Sequence, residues 1–68
     1  MVNNHVREKR QEHNLTQEEL ADKVDVSRQT IIALEKGNYT PSVKLALLLA
    51  RVLNTSVDLL FWLEDEEL

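Results

Sequence analysis

The stretch QEELADKVDVSRQTIIALEKG, residues 17–37, contains two short amphipathic segments separated by a break. Its apolar residues recur at helical intervals on both sides of that break, at Leu20, Ala21, Val24, Ile31 and Leu34. The break ends with Ser27, whose hydroxyl can accept a hydrogen bond from a free backbone amide at the start of the second segment. We therefore predict two helices joined by a tight turn.

Ala21 is a small residue where these two predicted helices must cross. Helices joined by so short a turn approach closely, and a large side chain at this position would hold them apart. A pair of helices connected in this way is a helix-turn-helix, a unit whose second helix can enter a DNA major groove.

Length and composition restrict the rest of the chain to one small helical domain. Sixty-eight residues support a single domain with a marginal core, and 43% of them are apolar, which is too many for a disordered chain. Gly and Pro occur once each, strand-like alternation is absent, and there is no cysteine for a disulfide or a thiolate metal site. We expect an all-α fold, with no cofactor and no small-molecule substrate, that is stabilised by helix packing or by oligomerisation.

The chain also lacks the sequence features of a membrane or exported protein. No apolar run approaches the roughly 18 residues of a membrane span, and the segment MVNNHVREKR has no apolar signal-peptide core. We expect a cytoplasmic protein that does not bind membranes and that joins the nucleoid when it binds DNA.

The net charge of −4 is concentrated at one end of the chain. Residues 64–67, EDEE, supply four of the 12 acidic side chains, which leaves eight acidic and eight basic residues at 1–63. A neutral domain can bind DNA when its cations share one face, with an affinity that falls as salt rises. We therefore divide the chain into a helix-turn-helix domain, residues 1–63, and an acidic tail, residues 64–68.

Five helices are predicted along the chain, at residues 2–13, 17–24, 28–36, 43–53 and 57–62. Side chains suited to the N-cap position precede them at Asn3 or Asn4, Thr16, Ser27, Ser42 and Ser56. Thr16 with Glu19 further fits a capping box. Residues that favour termination follow at Asn14, Gly37 and Asn54. The fourth helix is apolar on nearly every side, which indicates the buried centre of a bundle or a surface covered by a partner.

The order of these parts resembles that of a known family. The segments LTQEELADKV, VSRQTIIALEKG, NYTPS and LALLLARVLNTSVDLLF resemble the phage Cro and repressor helix-turn-helix family (Xre-type regulators), especially its short stand-alone bacterial members. The resemblance covers residues 6–61 and rests on a joint spacing, that of Gln17, Ala21, Ser27, Arg28, Gln29, Glu35, Gly37 and Pro41. It implies a compact five-helix bundle of the lambda-repressor-like type, with helices two and three as the helix-turn-helix.

Two residues depart from the family pattern. Asp25 stands in the turn where the family usually has a glycine with positive φ, and Asp tolerates that backbone region better than most residues. We therefore expect local strain and an unchanged turn. Ile32 stands where a small or polar residue is expected.

The outer face of the third helix carries the residues that we expect to contact bases. At 100° per residue, the side chains opposite the packed residues Ile31 and Leu34 are Gln29, Ile32, Ala33 and Lys36, flanked by Arg28 and Thr30. Arg can bond the O6 and N7 atoms of guanine, and Gln the N6 and N7 atoms of adenine, while apolar side chains meet the thymine methyl group. The predicted base contacts are Arg28, Gln29, Thr30, Ile32 and Ala33. The alternative is that they are ordinary solvated helix residues.

The expected contacts to the DNA backbone lie on either side of that face. The family resemblance implies a phosphate contact for Gln17, whose alternative role is that of a residue that only starts a helix. We further expect backbone contacts from Lys36, Asn38, Tyr39 and Thr40, of which the last three are alternatively just a turn before Pro41. Cations on the first helix, Arg7 and Lys9, are interpreted as solvated.

Glu35 lies towards the packed side of the third helix, where a charge needs a partner. The family often pairs an arginine of the first helix with this glutamate. We therefore predict a structural Arg10–Glu35 salt bridge.

No pattern of residues indicates catalysis or a metal site. His5 and His13 are eight residues apart and have no third ligand nearby, so we interpret both as surface residues. There is no nucleophile–base arrangement and no Gly-rich phosphate loop, and we expect a protein that is not an enzyme.

Trp62 and Leu63 follow the last core positions and exceed what so small a bundle can cover. They are the predicted surface of a homodimer; alternatively, Trp62 folds back on its own domain. A two-fold dimer would place two recognition helices about one DNA turn apart, which suits a palindromic site.

The sequence thus predicts a sequence-specific transcriptional regulator, a repressor in particular, that reads double-stranded DNA with residues 28–36. The alternative is a protein-interaction module, such as an antitoxin or an antirepressor, that uses the same fold and its acidic tail.

Overall fold

A computed structural model describes residues 2–64 of the protein. It contains five helices and two short strands: β1 (Val2–Asn4), α1 (Val6–Glu12), α2 (Gln17–Lys23), α3 (Arg28–Glu35), α4 (Val43–Val52), α5 (Val57–Leu60) and β2 (Phe61–Leu63). The predicted acidic tail lies outside the described residues, except for Glu64. The predicted five-helix bundle is confirmed, with α2 and α3 forming the helix-turn-helix.

Four of the five helices end in the same way. The residue after each C-cap has positive φ: 57° at Asn14, 59° at Asp25, 80° at Gly37 and 54° at Asn54. At α3, the amide of Gly37 donates to the carbonyl of Leu34 (3.0 Å) and that of Asn38 to Ala33 (2.9 Å). This pair of hydrogen bonds satisfies the last helical carbonyls and reverses the chain. The α2–α3 turn uses the same pair, so Asp25 adopts the left-handed conformation and leaves the turn unchanged.

Side-chain caps begin three of the helices. Thr16 and Glu19 form the predicted capping box, Ser27 accepts from the amide of Thr30 (3.3 Å), and Ser42 accepts from that of Leu45 (3.1 Å). The prediction for Ser56 was wrong in one respect, because it occupies the N-cap position of α5 without a side-chain hydrogen bond to the helix.

The sequence prediction was wrong at both ends of the domain. Residues 2–4 and 61–62, which we expected in the first and fifth helices, form with Leu63 a two-stranded antiparallel sheet in which Val2 pairs with Leu63 and Asn4 with Phe61. We call this sheet the terminal hairpin, although its two strands lie at opposite ends of the domain and no tight turn joins them. Each strand has only three residues and its partner lies about 60 residues away, so neither could show a period-2 pattern.

Asn4 joins the terminal hairpin to the helices on either side of it. Its Oδ1 accepts from the amide of Val6 (3.0 Å) at the start of α1, and its Nδ2 donates to the carbonyl of Leu34 (2.9 Å) in the last turn of α3. The N-cap predicted at Asn3 or Asn4 was wrong, because the N-cap position of α1 is His5, which has no side-chain cap. Asn4 instead accepts from the first helical amide from the position before the N-cap, and the same side chain fixes the C-terminal end of α3.

A single apolar core lies between the helices. Its buried members are Val6, Leu20, Ala21, Val24, Ile31, Leu34, Leu45, Leu49, Ala50, Leu53 and Leu60. Ala21 is only 2% exposed, as the close helix crossing requires. One face of α4 supplies core residues, whereas Val43 and Leu47 on the same helix are exposed. Within residues 2–64, no helix is long and apolar enough to cross a membrane.

Candidate nucleic-acid interface

The outer face of α3 presents polar side chains to solvent. Ile31 and Leu34 are fully buried in the core, while Arg28 and Gln29 are exposed at the N-terminal end of the helix and Lys36 is exposed at its C-cap. Arg28 and Lys36 are about 12 Å apart along the helix axis, at 1.5 Å per residue. The exposed donors therefore span the length of the helix.

The other three predicted base contacts are less exposed. Thr30 is half-buried, and its hydroxyl lies 3.1 Å from the hydroxyl of the N-cap residue Ser27. Ile32 and Ala33 are half-buried as well. Their accessible atoms are apolar, which suits contact with a thymine methyl group and not hydrogen bonding to a base edge.

Arg10 and Glu35 form a forked ion pair that links α1 to α3. The distance from Arg10 Nε to Glu35 Oε2 is 2.7 Å, and that from Nη2 to Oε1 is 3.2 Å. Arg10 Nη1 donates to the carbonyl of Leu15 (2.8 Å), so all three guanidinium nitrogens have a partner. The side chains are 12% and 5% exposed, and a bidentate pair of this kind holds α3 in a fixed orientation.

Gln17 belongs to the same network. Its Nε2 donates to Oε1 of Glu35 (3.2 Å), and its side chain is half-buried. The side-chain amide of Gln17 is thus oriented by its hydrogen bond to Glu35, and its oxygen has no bond to that residue. A phosphate contact by Gln17 would use the remaining N–H of this oriented amide.

Two adjoining depressions run beside α3 and share Arg10 and Gln17. The first is lined by Arg7, Arg10, Gln11, Gln17, Ile32, Glu35 and Lys36. The second is lined by Arg10, Thr16, Gln17, Glu18 and Arg28. We call the two together the α1–α3 groove. Arg10 lines both depressions, whereas Glu35 lines only the one at the Lys36 end.

The two ends of the α1–α3 groove differ in charge. Arg28 shares its end with Glu18, and Glu19 lies one residue further along α2. The amide of Thr16 donates to Oε1 of Glu19 (2.8 Å), which lowers the pKa of that carboxyl and keeps it ionised. At the other end, Arg7 and Lys36 share their depression with a carboxylate that Arg10 already neutralises.

The loop after α3 lies next to the exposed face. Asn38 and Thr40 are exposed, and Tyr39 is 42% exposed. The amide of Asn38 is used by the end of α3, as described above, so its side chain is the group left for a ligand.

Two residues that line the α1–α3 groove, Arg7 and Gln11, were not among the predicted site residues. Arg7 is exposed, as its interpretation as a solvated cation requires. The signal was present, because Arg7, Arg10 and Gln11 are spaced i, i+3, i+4 and hence share one face of α1. Once Arg10 is assigned to Glu35, its neighbours on that face must lie beside α3.

The terminal hairpin carries the predicted dimer residues. Trp62 is 40% exposed and Leu63 is 48% exposed. The ring of Trp62 lies against the imidazole of His5, with centroids 4.5 Å apart and planes tilted by 44°. Trp62 is therefore folded partly onto its own domain and leaves the rest of its surface uncovered.

Both histidines lie at the surface and contact protein groups. His5 Nδ1 is 2.8 Å from Glu8 Oε2, and this hydrogen bond lowers the pKa of Glu8. His13 Nε2 is 2.9 Å from the carbonyl of Leu53, at the end of α4. In the part of the chain that the structure describes, no three His, Asp or Glu side chains are grouped as metal ligands.

Comparisons with known proteins agree with this geometry. A sequence model of the helix-turn-helix family matches residues 6–60. An uncharacterised HTH-type transcriptional regulator of Archaeoglobus fulgidus is 54% identical over 63 residues, which cover 93% of this chain and 90% of that protein. The regulator YgzD of Bacillus subtilis, described in the same terms, is 42% identical over 65 residues, covering 96% and 98%.

Solved structures give the same result for the fold. The N-terminal DNA-binding domain of SinR from Bacillus subtilis matches with a TM-score of 0.72 over 78% of each chain, at 26% identity. The predicted resemblance to Xre-type regulators is thereby confirmed. The chain belongs to the helix-turn-helix family of DNA-binding transcriptional regulators.

Proposed function

We propose that the chain is a sequence-specific repressor that acts in the cytoplasm, at the nucleoid, by occupying an operator with α3. The main observation that supports this proposal is the exposed outer face of α3, whose opposite face is anchored by the core and by the Arg10–Glu35 pair. A helix fixed in this way can insert its N-terminal residues into the major groove without first having to be ordered. Occupancy of an operator blocks transcription without a cofactor or a catalytic step.

Base recognition is assigned to the exposed donors at the start of α3. Arg28 and Gln29 supply bidentate hydrogen bonds, while Thr30, Ile32 and Ala33 supply shorter polar and apolar contacts. Gln17, Lys36, Asn38, Tyr39 and Thr40 hold the DNA backbone. Only the first two residues have the geometry for a large discrimination between bases.

Selection of bound duplexes from a random pool tests this proposal and returns the operator. Arg28→Ala should then reduce the preference for the selected site over a singly mutated one by about 5- to 150-fold, because one bidentate contact discriminates by roughly 1–3 kcal/mol. Arg51→Ala is the matched control, since Arg51 is an exposed arginine on α4. Equal preferences in the two variants, or no enriched sequence for the unmodified protein, would contradict the proposal.

We further propose that two copies pair through the uncovered surface of the terminal hairpin. Trp62, Leu63 and, on α5, Leu59 (66% exposed) are exposed apolar residues that lie within five positions of one another along the chain. A two-fold dimer would present two α3 helices to successive major grooves.

Sedimentation equilibrium tests the dimer. The unmodified protein should be dimeric at high micromolar concentration, and Trp62→Ala should weaken its association. Leu63→Glu is a second variant that leaves the Trp62–His5 contact in place, and Leu47→Ala on α4 is the control for loss of an exposed apolar side chain. A monomeric unmodified protein would rule out the dimer.

A further inference from the structure

We propose that the Lys36 end of the α1–α3 groove is a binding site for a DNA phosphate, formed by Arg7, Gln11 and Lys36. This inference rests on the proposed function, since it assumes that α3 lies in the major groove. It assigns α1 a direct role in DNA binding. The ligand is a backbone phosphodiester group next to the one that Gln17 contacts.

The residues of this phosphate site suit a singly charged oxyanion. Arg7, Gln11 and Lys36 are exposed and line one depression, to which α1 and the C-cap of α3 thus contribute two cations and one amide. A guanidinium forms paired hydrogen bonds with phosphate oxygens, and the ammonium and amide groups add single ones. Half-buried Ile32 forms an apolar wall beside them.

Local charge favours an anion at this end. Glu35 lines the depression, but its carboxylate accepts hydrogen bonds from Arg10 and Gln17 and carries no free charge towards a ligand. Among residues 2–64, neither Arg7 nor Lys36 is within ion-pair distance of a carboxylate. The Arg28 end is less favourable because Glu18 lines it.

Lys9 provides an internal control on the same helix. It is a cation two residues from Arg7, it does not line the groove, and its Nζ lies 3.6 Å from Glu12 Oε1. Removing Lys9 changes the net charge as much as removing Arg7 does. A difference between the two variants therefore measures position and not total charge.

Binding of the selected operator and of an unrelated duplex is measured over a range of salt concentrations. Arg7→Ala should weaken both complexes alike, by about eightfold at 0.1 M salt, and reduce the slope of log K against log salt by about 0.9, as expected for one phosphate contact. Lys9→Ala should leave the affinity and the slope close to those of the unmodified protein. Equal effects of the two substitutions would overturn the proposal, and so would a change of site preference in Arg7→Ala.

Neutral methylphosphonate linkages locate the phosphate. One linkage is replaced at a time, and one position in the operator should weaken the unmodified protein clearly more than it weakens Arg7→Ala, in which only Gln11 and Lys36 remain to contact that phosphate. Strictly additive losses at every position would overturn the proposed phosphate site while leaving the operator preference, and hence the proposed function, intact. Thermal unfolding of each variant shows that the fold is retained, and Arg7→Lys should recover part of the salt slope.

Discussion

The α2–α3 unit and the terminal hairpin differ in the distance along the chain between the residues that form them. The unit is built within residues 17–37 by caps, a left-handed Asp25 and core side chains at helical intervals. The hairpin joins Val2 to Leu63 and exists only when the whole domain between them has folded. A two-stranded hairpin of this length is not stable alone, so it depends on its packing against the core.

The difference indicates how the DNA-binding face is stabilised. The α2–α3 unit has a strong local preference for its structure, but its orientation is fixed by contacts from α1 and from the hairpin. Arg10 holds the side chain of Glu35, and Asn4 holds the backbone carbonyl of the preceding residue, Leu34. The local region therefore carries the proposed recognition surface, and the non-local region determines where that surface points.

Glu35→Ala should have the largest effect on the free energy of unfolding. It leaves Arg10, only 12% exposed, without its charge partner, and loss of one member of a buried pair costs about 3–5 kcal/mol. Urea or thermal denaturation measures the change. Glu18→Ala is the control, because Glu18 is exposed and its loss should change stability by at most about 0.5 kcal/mol. Similar losses in the two variants would mean that the pair does not stabilise the fold.

Asn4→Ala should have an intermediate effect that tests the non-local region. It removes two hydrogen bonds, to Val6 and to Leu34, and leaves the first amide of α1 without its acceptor, so we expect a loss of about 1–3 kcal/mol. Asn3→Ala is the matched control in the same strand, where Asn3 pairs with Trp62 through the backbone. Hydrogen exchange should show faster opening of the hairpin in Asn4→Ala than in Asn3→Ala. No difference between the variants would remove Asn4 as the link between hairpin and α3.

The same contrast explains which parts could be predicted from the sequence. Helix ends are set by single residues with local chemistry, so Thr16, Ser27 and Ser42 were identified as caps, and Asn14 as the residue that ends α1 in the left-handed conformation. The strands were missed because three residues have no measurable period and their pairing depends on closing a loop of nearly the whole chain. Good helix formers after Val6 extended the predicted first helix backwards into β1.

The candidate site likewise has features that depend on one helix, which could be predicted from its periodicity alone, and features that depend on the packing of two helices, which could not. The exposure of Arg28 and Gln29 followed from the angular positions of Ile31 and Leu34 on one helix. The groove position of Arg7 depends on how α1 crosses α3, which is a tertiary property. The helical spacing of Arg7 relative to Arg10 could have predicted this position. That prediction requires two steps, the Arg10–Glu35 ion pair between α1 and α3 and then the periodicity of α1.

The smallest effects are expected for two surface carboxyls, one on α1 next to the terminal hairpin and one in the α2–α3 unit. Glu8 and Glu19 both have a pKa below the ordinary 4.5, the first because of its hydrogen bond with His5 and the second because the amide of Thr16 donates to it. Each therefore stabilises the fold above its ordinary pKa, and this contribution is lost as the pH falls through the lowered value. His5→Ala should return the pKa of Glu8 towards 4.5 and leave that of Glu19 lowered, as measured by NMR titration of the side-chain carboxyl carbons. A shift of both values together would show that the hairpin side of α1 and the start of α2 are coupled, whereas independent values would support two separately stabilised regions.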